Sequence, residues 1–294
     1  MSIDTSGTET TADEEQTFCY GHPKTPTRLR CSRCDRPICG RCAIPATVGQ
    51  HCPECVAEAR RSVPKVRTVL QATAPATRAI LILTGLVFVG QLLIPGLTDR
   101  LASIPVLTAR GDWWRLVTPM LVHAGPLHLI MNGYVLFAIG PAVEDRFGPA
   151  RFVVVYVIGG IAGSVLSFTF GPCAVSGVGA SGAIMGLIGA LAADLYGRRE
   201  SPNARMQLQG ILKWIGLIFA IGIALEVFAQ FGMLLIRIDN FAHLGGLLGG
   251  AAVGAGLGAR PKPITARGIF VTLVTAGVLL AIVAARVAGF NCFP

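Results

Sequence analysis

One serine and one histidine in the apolar part of the chain have the residue types and settings of a catalytic pair. Ser181 stands in the run GASG at residues 179–182, and His243 stands in AHLGG at residues 242–246. A serine hydroxyl becomes a nucleophile when a nearby base, most often histidine, takes its proton. Ser181 and His243 therefore predict acyl-transfer chemistry if the fold brings them together.

A second polar group comprises His123, His128 and Asn132. Asn132 follows His128 by four residues, so both lie on one face of a helix. The oxyanion of an acyl-transfer reaction needs hydrogen-bond donors, which the side chains of His128 and Asn132 and the backbone N–H of Ser181 can supply. Because no Asp or Glu is expected beside His243, a Ser–His dyad is the most economical arrangement.

Composition indicates which elements must position these side chains. Of the 294 residues, 52% are hydrophobic and 14% are charged, whereas a soluble domain carries about 25% charged residues. The first 78 residues are polar and rich in cysteine, and nearly everything after them is apolar. The Thr- and Glu-rich start lacks the apolar stretch of a secretory signal. We therefore expect a small cytosolic module followed by an all-α polytopic membrane domain.

Seven apolar segments are long enough, or nearly so, to cross the ~30 Å hydrocarbon core. They are residues 79–97, 126–143, 152–170, 179–196, 211–231, 240–259 and 268–288. Trp113, Trp114 and Arg115, between the first two, are typical of a chain lying in the membrane interface. Close helix packing is predicted by glycines spaced four apart on the fourth and sixth segments: 182/186, 245/249, 246/250, 250/254 and 254/258.

The distribution of Lys and Arg in short loops predicts the orientation of the chain. These residues are concentrated before the first span and after the second, fourth and sixth spans. This pattern predicts a multi-pass protein of the cell membrane with a cytoplasmic N-terminus and an external C-terminus. In this orientation Ser181, His243 and the segment His123–Asn132 all lie near the external ends of their helices.

Each of these polar residues also has a purely structural interpretation. Ser181 can be a close-packing residue, a helical histidine can bond a neighbouring carbonyl, and Asn132 can join two helices. Independent packing residues, however, have no reason to share one depth in the membrane. The common depth therefore favours a catalytic site.

Four Cys or His pairs with metal-ligand spacing lie in the N-terminal module. A two-residue gap lets both side chains of a pair reach one tetrahedral Zn²⁺. By analogy with cross-braced zinc folds, we expect two structural zinc ions, one held by Cys19, His22, Cys39 and Cys42 and the other by Cys31, Cys34, Cys52 and Cys55. His51 is an alternative to Cys52. Because cytosolic thiols stay reduced, a disulfide knot is disfavoured.

The formal charge of +9 does not predict nucleic-acid binding, because the basic residues are scattered without aromatic partners. The linker after the module contains a group of them: Arg60, Arg61, Lys65, Arg67 and Arg78. A basic juxtamembrane stretch is typical of contact with anionic lipid. We therefore expect the lipid bilayer as a partner, together with an unknown cytosolic partner of the zinc module.

The ordered motifs resemble those of rhomboid intramembrane serine proteases. GASG at 179–182 is similar to the family's nucleophile motif, AHLGG at 242–246 to its histidine motif, and HAGPLHLIMN at 123–132 to its second-span pattern. Two shorter motifs also resemble the family, WR at 114–115 and ExRxG at 144–148. The resemblance covers about residues 79–259 and implies a rhomboid-like six-helix core. A seventh C-terminal helix and a B-box-like zinc module resemble appendages of some relatives.

The resemblance also implies roles for six residues. They are Ser181 as nucleophile, His243 as general base, Asn132 and His128 as oxyanion-hole donors, Gly179 as site lining and His123 in a supporting role. Met185 departs from the pattern, because relatives often have an aromatic residue there that packs on the catalytic histidine. The implied reaction is hydrolysis of a peptide bond in or near a substrate's transmembrane segment, in the outer leaflet, with no cofactor for catalysis.

Three other functions fit part of the pattern. An inactive rhomboid-like protein that binds transmembrane clients is the main alternative, although Ser181 and His243 are both present. A transporter would place polar groups near mid-bilayer between inverted repeats. A membrane zinc protease using His123, His128 and His243 would need a motif such as His-Glu-x-x-His, which the sequence lacks.

The expected domains follow from these patterns. They are a disordered tail at 1–17, a B-box-like module at 18–58, a basic linker at 59–78, a catalytic core at 79–259, and a seventh helix with an external C-terminus at 260–294. Cys173 and Cys292 are both expected outside the cell, so they predict a disulfide. Glu226 in the fifth span is expected to reach the external interface or to hydrogen-bond within the bundle, and it receives no catalytic role.

Overall fold

The structure is a computed structural model that describes residues 16–62, 74–173, 175–231, 238–260 and 263–291. The chain divides into two compact units, residues 1–67 and 68–294. The tail up to residue 15, Lys65 and Arg67 of the basic linker, and Cys292 lie outside the described residues.

The first unit is built around cysteines. Its described residues, 16–62, form two antiparallel two-stranded sheets and one helix: β1 (Phe18–Cys19) with β2 (His22–Pro26), β3 (Ile44–Pro45) with β4 (Gln50–His51), and α1 (Pro53–Ser62). Ile38 is completely buried, and buried cysteines surround it. Because so small a core cannot stabilise a fold alone, cross-links or metal ions are needed.

The second unit has a helix for every predicted span. Its elements are α2 (Pro75–Leu93), α3 (Leu97–Leu101), α4 (Pro105–Ala109), the 3-10 turns Trp113–Leu116 and Thr118–Leu121, α5 (Pro126–Phe147), α6 (Pro149–Phe170), α7 (Ser181–Gly197), α8 (Pro202–Gln230), α9 (Asn240–Leu257) and α10 (Ala266–Ala288). Among the described residues, α2, α5, α6, α8 and α10 are long and apolar enough to cross a membrane, which indicates a multi-pass membrane protein. Helix α7 is apolar but has 17 residues.

Proline sets helix boundaries that hydropathy alone misplaces. Helix α2 begins at Pro75 and α8 begins at Pro202, both earlier than predicted. Proline is favoured in the first turn because its missing N–H would have no partner there. Helix α2 ends at Leu93 because Ile94 precedes Pro95 and is extended. A residue before proline is disfavoured in the helical conformation.

Helix α9 carries two stripes of glycine, and each faces a different helix. Gly246 and Gly250 pack against Gly182 and Gly186 of α7, where a β-carbon would overlap the neighbouring carbonyl group. Gly245 and Gly249 pack against Ala162 of α6. These stripes allow the backbones to approach closely, as predicted.

The predicted 254/258 register is wrong, because Gly258 does not belong to the helix. Gly254 still packs against Ala190 of α7, but Gly258 has no atom within 4 Å of a built β-carbon. It ends α9 with a φ of +66°, a conformation that favours glycine.

Two residues of the ExRxG signature connect α5 to α2 and α7. The Glu144 carboxylate accepts hydrogen bonds from the backbone N–H groups of Ala76 and Thr77, at 2.9 and 2.8 Å, and from the Thr77 hydroxyl at 2.8 Å. Arg146 forms an ion pair with Asp194 on α7. A buried carboxylate needs such donors, so the signature has a structural function here.

Candidate active site

Ser181 is the first residue of α7, and the loop before it is held on two sides. Gly177 exchanges two backbone hydrogen bonds with Ser103, each at 2.9 Å, and the N–H of Gly179 donates to the carbonyl of Pro119 at 2.8 Å. The first N–H groups of a helix have no partner within that helix. The hydroxyl of Ser181 therefore stands beside backbone donors at a fixed helix start.

Gly179 is required by both backbone conformation and space. Its φ of +126° is a conformation that other residues rarely adopt. A β-carbon at this position would lie 2.7 Å from Cε1 and 2.9 Å from Nε2 of His128. The imidazole of His128 therefore lies directly against the backbone that leads into Ser181.

His243 lies in the first turn of α9 and is 7% exposed. Its backbone N–H donates to the carbonyl of Asp239 at 3.1 Å. The ring of Phe219 on α8 stands edge-on to the imidazole, with 6.4 Å between centroids. Within the described part of the chain, Nδ1 of His243 has no hydrogen-bond partner.

The packing of α7 on α9 brings the turns that carry Ser181 and His243 side by side. A β-carbon on Gly182, the residue after Ser181, would lie 3.3 Å from the carbonyl oxygen of Ala242, the residue before His243. No hydrogen bond joins Ser181 to His243 among the described residues. The backbone turns are therefore neighbours, and a catalytic hydrogen bond often tightens only when substrate binds.

His128 presents a donor toward Gly179. The backbone N–H of Ala124 donates to its Nδ1 at 3.4 Å, so a neutral His128 carries its proton on Nε2. The side chain of Asn132 donates to the carbonyl of His128 at 3.0 Å. Asn132 therefore has to rotate or share its amide group before it can donate to an oxyanion.

His123 is buried beside His128. The side chain of Gln91, which the sequence did not mark as a site residue, hydrogen-bonds the backbone of His123. The ring of His123 lies 5.1 Å from that of His128, centroid to centroid. Gln91 on α2 accepts from the His123 N–H at 3.0 Å, donates to the His123 carbonyl at 3.0 Å and donates to Thr98 at 2.8 Å. Gln91 is a polar residue near the end of an apolar span, and this is the sequence signal that could have identified it.

A cleft of about 380 Å³ opens between α2 and α5 beside these residues. Its lining is mostly apolar, and it includes Thr84, His123, Asn132 and Ala180. Ala180 directly precedes Ser181, so the cleft reaches the candidate site.

The structure shows contacts near His243 that the sequence does not record, made by Asp239 and Phe219. Asp239 caps α9 by accepting from the N–H of Ala242 at 2.8 Å, and it also bonds Ser167 of α6. A carboxylate thus lies one helical turn before His243, but it bonds Ala242 and Ser167 rather than the imidazole, so the expected Ser–His dyad stays a prediction. Phe219 of α8, rather than position 185, supplies an aromatic contact to the imidazole. Met185 is buried in the core of the bundle.

The N-terminal unit gathers its ligands into two clusters with the predicted pairing. They are Cys19, His22, Cys39 and Cys42, and Cys31, Cys34, Cys52 and Cys55. The Sγ atoms of Cys19 and Cys42 are 3.8 Å apart, and those of Cys34 and Cys52 are 3.7 Å apart. A tetrahedral ion with 2.3 Å bonds to sulfur requires about 3.8 Å between sulfurs. His51 belongs to neither cluster.

The surroundings favour the thiolate at Cys19 of the first cluster, whereas burial and the neighbouring thiols raise the pKa of Cys42 to about 11. Burial opposes ionisation of Cys19, but hydrogen bonds from the backbone of Cys39 and Gly21 and from His22 outweigh it, so the pKa of Cys19 falls to about 6. Metal ions bind the thiolate rather than the thiol. The donor set therefore fits a soft or borderline cation.

The predicted external disulfide is only partly within the described residues. Cys173 is disulfide-bonded, whereas Cys292 lies outside them. The pairing of the two therefore stays a prediction.

Comparison with known proteins finds similarity over the region of the candidate site. The rhomboid domain family model matches residues 110–260. Rhomboid protease GluP of Bacillus subtilis is 42% identical over 152 residues, and RHOMBOID-like protein 6, mitochondrial, of Arabidopsis thaliana is 38% identical over 152 residues. Rhomboid-like protease 3 of Toxoplasma gondii is 38% identical over 143 residues.

These matches cover part of each protein. They span 52%, 52% and 48% of this chain and 27%, 46% and 50% of the three relatives. The matched family region contains all six candidate site residues between His123 and His243. The cysteine-rich unit lies outside the matched family region.

Proposed function

Because this chain belongs to the rhomboid family, we propose that it is an intramembrane serine endopeptidase that acts through Ser181 and His243. One observation carries the proposal. Ser181 begins α7 directly beside the first turn of α9, which carries His243. A nucleophile at a helix start, a buried base on the adjacent helix and a cluster of donors are the parts that acyl transfer requires.

The proposed reaction has two steps. In the first, Nε2 of His243 takes the proton of the Ser181 hydroxyl while Oγ attacks the scissile carbonyl carbon. The peptide C–N bond breaks, the amine leaves with the proton from His243, and an acyl-enzyme forms. In the second, His243 takes a proton from water and the hydroxide attacks the ester carbonyl. The ester C–O bond then breaks, Oγ of Ser181 regains the proton from His243, and the acid product leaves.

The oxyanion is proposed to be bound by three donors. The backbone N–H of Ser181 is directed out of the helix start. The Nε2–H of His128 faces Gly179, and the amide of Asn132 reaches the site after leaving the His128 carbonyl. Removing one such donor costs about 100- to 1,000-fold in rate in other serine hydrolases.

The substrates are proposed to be transmembrane proteins that unwind locally near the outer leaflet. The apolar helices around the site support a position within the bilayer, and an intact substrate helix hides its carbonyl groups in hydrogen bonds. Small or helix-breaking residues at the cleavage point therefore favour attack. The loop charges support a cytoplasmic N-terminus and an external C-terminus.

The two ligand clusters of the N-terminal unit are proposed to hold structural Zn²⁺ ions. Each cluster has four ligand atoms within 4.8 Å of one another and contains three or four cysteines, a donor set typical of closed structural zinc sites. Zinc would supply the cross-links that this small unit needs. The unit is proposed to bind a cytosolic partner.

The test is cleavage of single-span proteins by the full-length protein in liposomes. Wild type is expected to release two fragments from at least one substrate of a panel, and Ser181→Ala and His243→Ala are expected to release none. Ser176→Ala, which changes an exposed serine in the preceding loop, is the matched control and keeps activity. Cleavage that survives Ser181→Ala would reject the proposal.

A fluorophosphonate probe distinguishes an inactive client-binding protein from a protease whose substrate is missing from the panel. The probe labels an activated serine without a peptide substrate. Labelling of wild type and of Ser176→Ala, but not of Ser181→Ala, is expected. Equal labelling of wild type and Ser181→Ala would favour the client-binding alternative.

A further inference from the structure

The carboxylate of Asp239 accepts two hydrogen bonds at the start of α9, one from α9 itself and one from α6. Its Oδ1 accepts a hydrogen bond from the N–H of Ala242 at 2.8 Å, so Asp239 caps the helix. Its Oδ2 accepts a hydrogen bond from the hydroxyl of Ser167 on α6. A cap determines where the first turn begins, and the bond to Ser167 holds that turn against α6.

His243 belongs to the first turn of α9, which Asp239 caps. Its backbone N–H donates to the Asp239 carbonyl at 3.1 Å. Within the described residues its Nδ1 has no hydrogen-bond partner. In the part of the chain that the structure describes, no carboxylate bonds Nδ1 to orient this imidazole, in contrast to a Ser–His–Asp triad. The position of the ring therefore depends on the backbone that carries it and on the contact with Phe219.

The tight packing around Ala242 makes this backbone position sensitive. A β-carbon on Gly163 of α6 would lie 2.6 Å from the carbonyl oxygen of Ala242, and one on Gly182 of α7 would lie 3.3 Å from it. Ala242 precedes His243, and Gly182 follows Ser181. A shift of the first turn of α9 would therefore change the separation of the two catalytic side chains directly.

We infer that Asp239 is a positioning residue for His243. By capping α9 and bonding Ser167, Asp239 holds His243 at the distance and angle from Ser181 that proton transfer requires. The inference rests on the proposed function, because that function makes His243 the base. Asp239 acts through the helix start and touches no reacting atom.

The first experiment measures the position of His243 independently of activity. Diethylpyrocarbonate modifies accessible imidazoles, and mass spectrometry of the full-length protein in detergent gives the rate at each histidine. Asp239→Ala is expected to raise the rate at His243 about five-fold or more, because the uncapped turn opens locally. Asp239→Asn is expected to stay within about two-fold of wild type, because an amide oxygen also caps helices.

Two controls accompany this experiment. His51 in the N-terminal unit is the internal reference, and its rate is expected to stay unchanged. Asp194→Asn removes a carboxylate that pairs with Arg146 and Arg198 near the opposite end of α7, and it is expected to leave His243 protected. Equal modification of His243 in wild type and Asp239→Ala would overturn the inference.

The second experiment separates kcat from KM for a cleaved substrate. Asp239→Ala is expected to lower kcat about 100-fold with KM unchanged, because a misplacement of about 1 Å has an effect of that size. Ser167→Ala removes one hydrogen bond and is expected to lower kcat about five-fold. Asp239→Asn is expected to restore most of the rate. An Asn variant as slow as the Ala variant would contradict positioning by the cap.

The two proposals fail in different ways. Cleavage that persists in Ser181→Ala rejects the proposed function, while the modification rates still report whether Asp239 holds His243. An unchanged modification rate in Asp239→Ala rejects the inference, while Ser181-dependent cleavage still supports the proposed function.

Discussion

Gly250 of α9 packs directly against the carbonyl group of Gly186 on α7, and no space remains for a β-carbon between them. The contact lies about one turn from the contact of Gly246 with Gly182, the residue after Ser181. It therefore belongs to the same helix interface as the candidate dyad. Substitutions at this contact are expected to alter the packing of α7 on α9 at the candidate site.

Gly250→Ala is expected to destabilise the bundle by about 3 kcal/mol, the upper part of the range for overpacking, because the new methyl group would meet backbone. The measurement is denaturation of the purified protein in detergent. Gly277→Ala on α10 is the matched control, because nothing lies within 4 Å of a β-carbon there. Equal stability of the two variants would show that α7 and α9 are not packed this closely.

Gly179→Ala is expected to lower cleavage about 100-fold, because the substitution would displace His128 or the loop before Ser181. The φ of +126° adds strain for any residue with a side chain. The rate is compared with that of Gly197→Ala at the end of α7, where nothing lies within 4 Å of a β-carbon. A Gly179→Ala enzyme as active as Gly197→Ala would contradict the contact with His128.

Phe219→Ala is expected to lower kcat about five-fold, which corresponds to the loss of ~1 kcal/mol of aromatic contact with His243. KM is expected to stay unchanged if the ring acts on the base rather than on substrate. Phe228→Ala on the same helix is the control, because that side chain is exposed. Equal effects of both substitutions would indicate a general loss of α8 stability instead.

The purified protein is expected to contain two zinc ions per chain by elemental analysis. Cys19→Ser is expected to lower the content to one, because it removes a ligand from one cluster only. His51→Ala is expected to retain both ions, since His51 belongs to neither cluster. Loss of an ion in His51→Ala would mean that the cluster pairing is wrong.

The sequence was sufficient where a residue's role depends on its neighbours in the chain. Two-residue gaps predicted four ligand pairs in the N-terminal unit, because the gap itself lets two side chains reach one ion, and the analogy with cross-braced zinc folds predicted how the pairs combine. Glycines spaced four apart predicted the contacts of Gly246 and Gly250, because this spacing places them on one face of a helix. The apolar stretches likewise predicted a helix for every span.

Tertiary structure decided the contacts between segments that are distant in the chain. Ser167 is 72 residues from Asp239, and Phe219 lies on a different helix from the histidine that it contacts. No periodicity or spacing records such pairs, because they depend on how the helices rotate and slide when they pack. The sequence therefore predicted the helices, the two ligand clusters and the candidate dyad, whereas only the packed bundle showed that Ser167 bonds Asp239 and that Phe219 contacts His243.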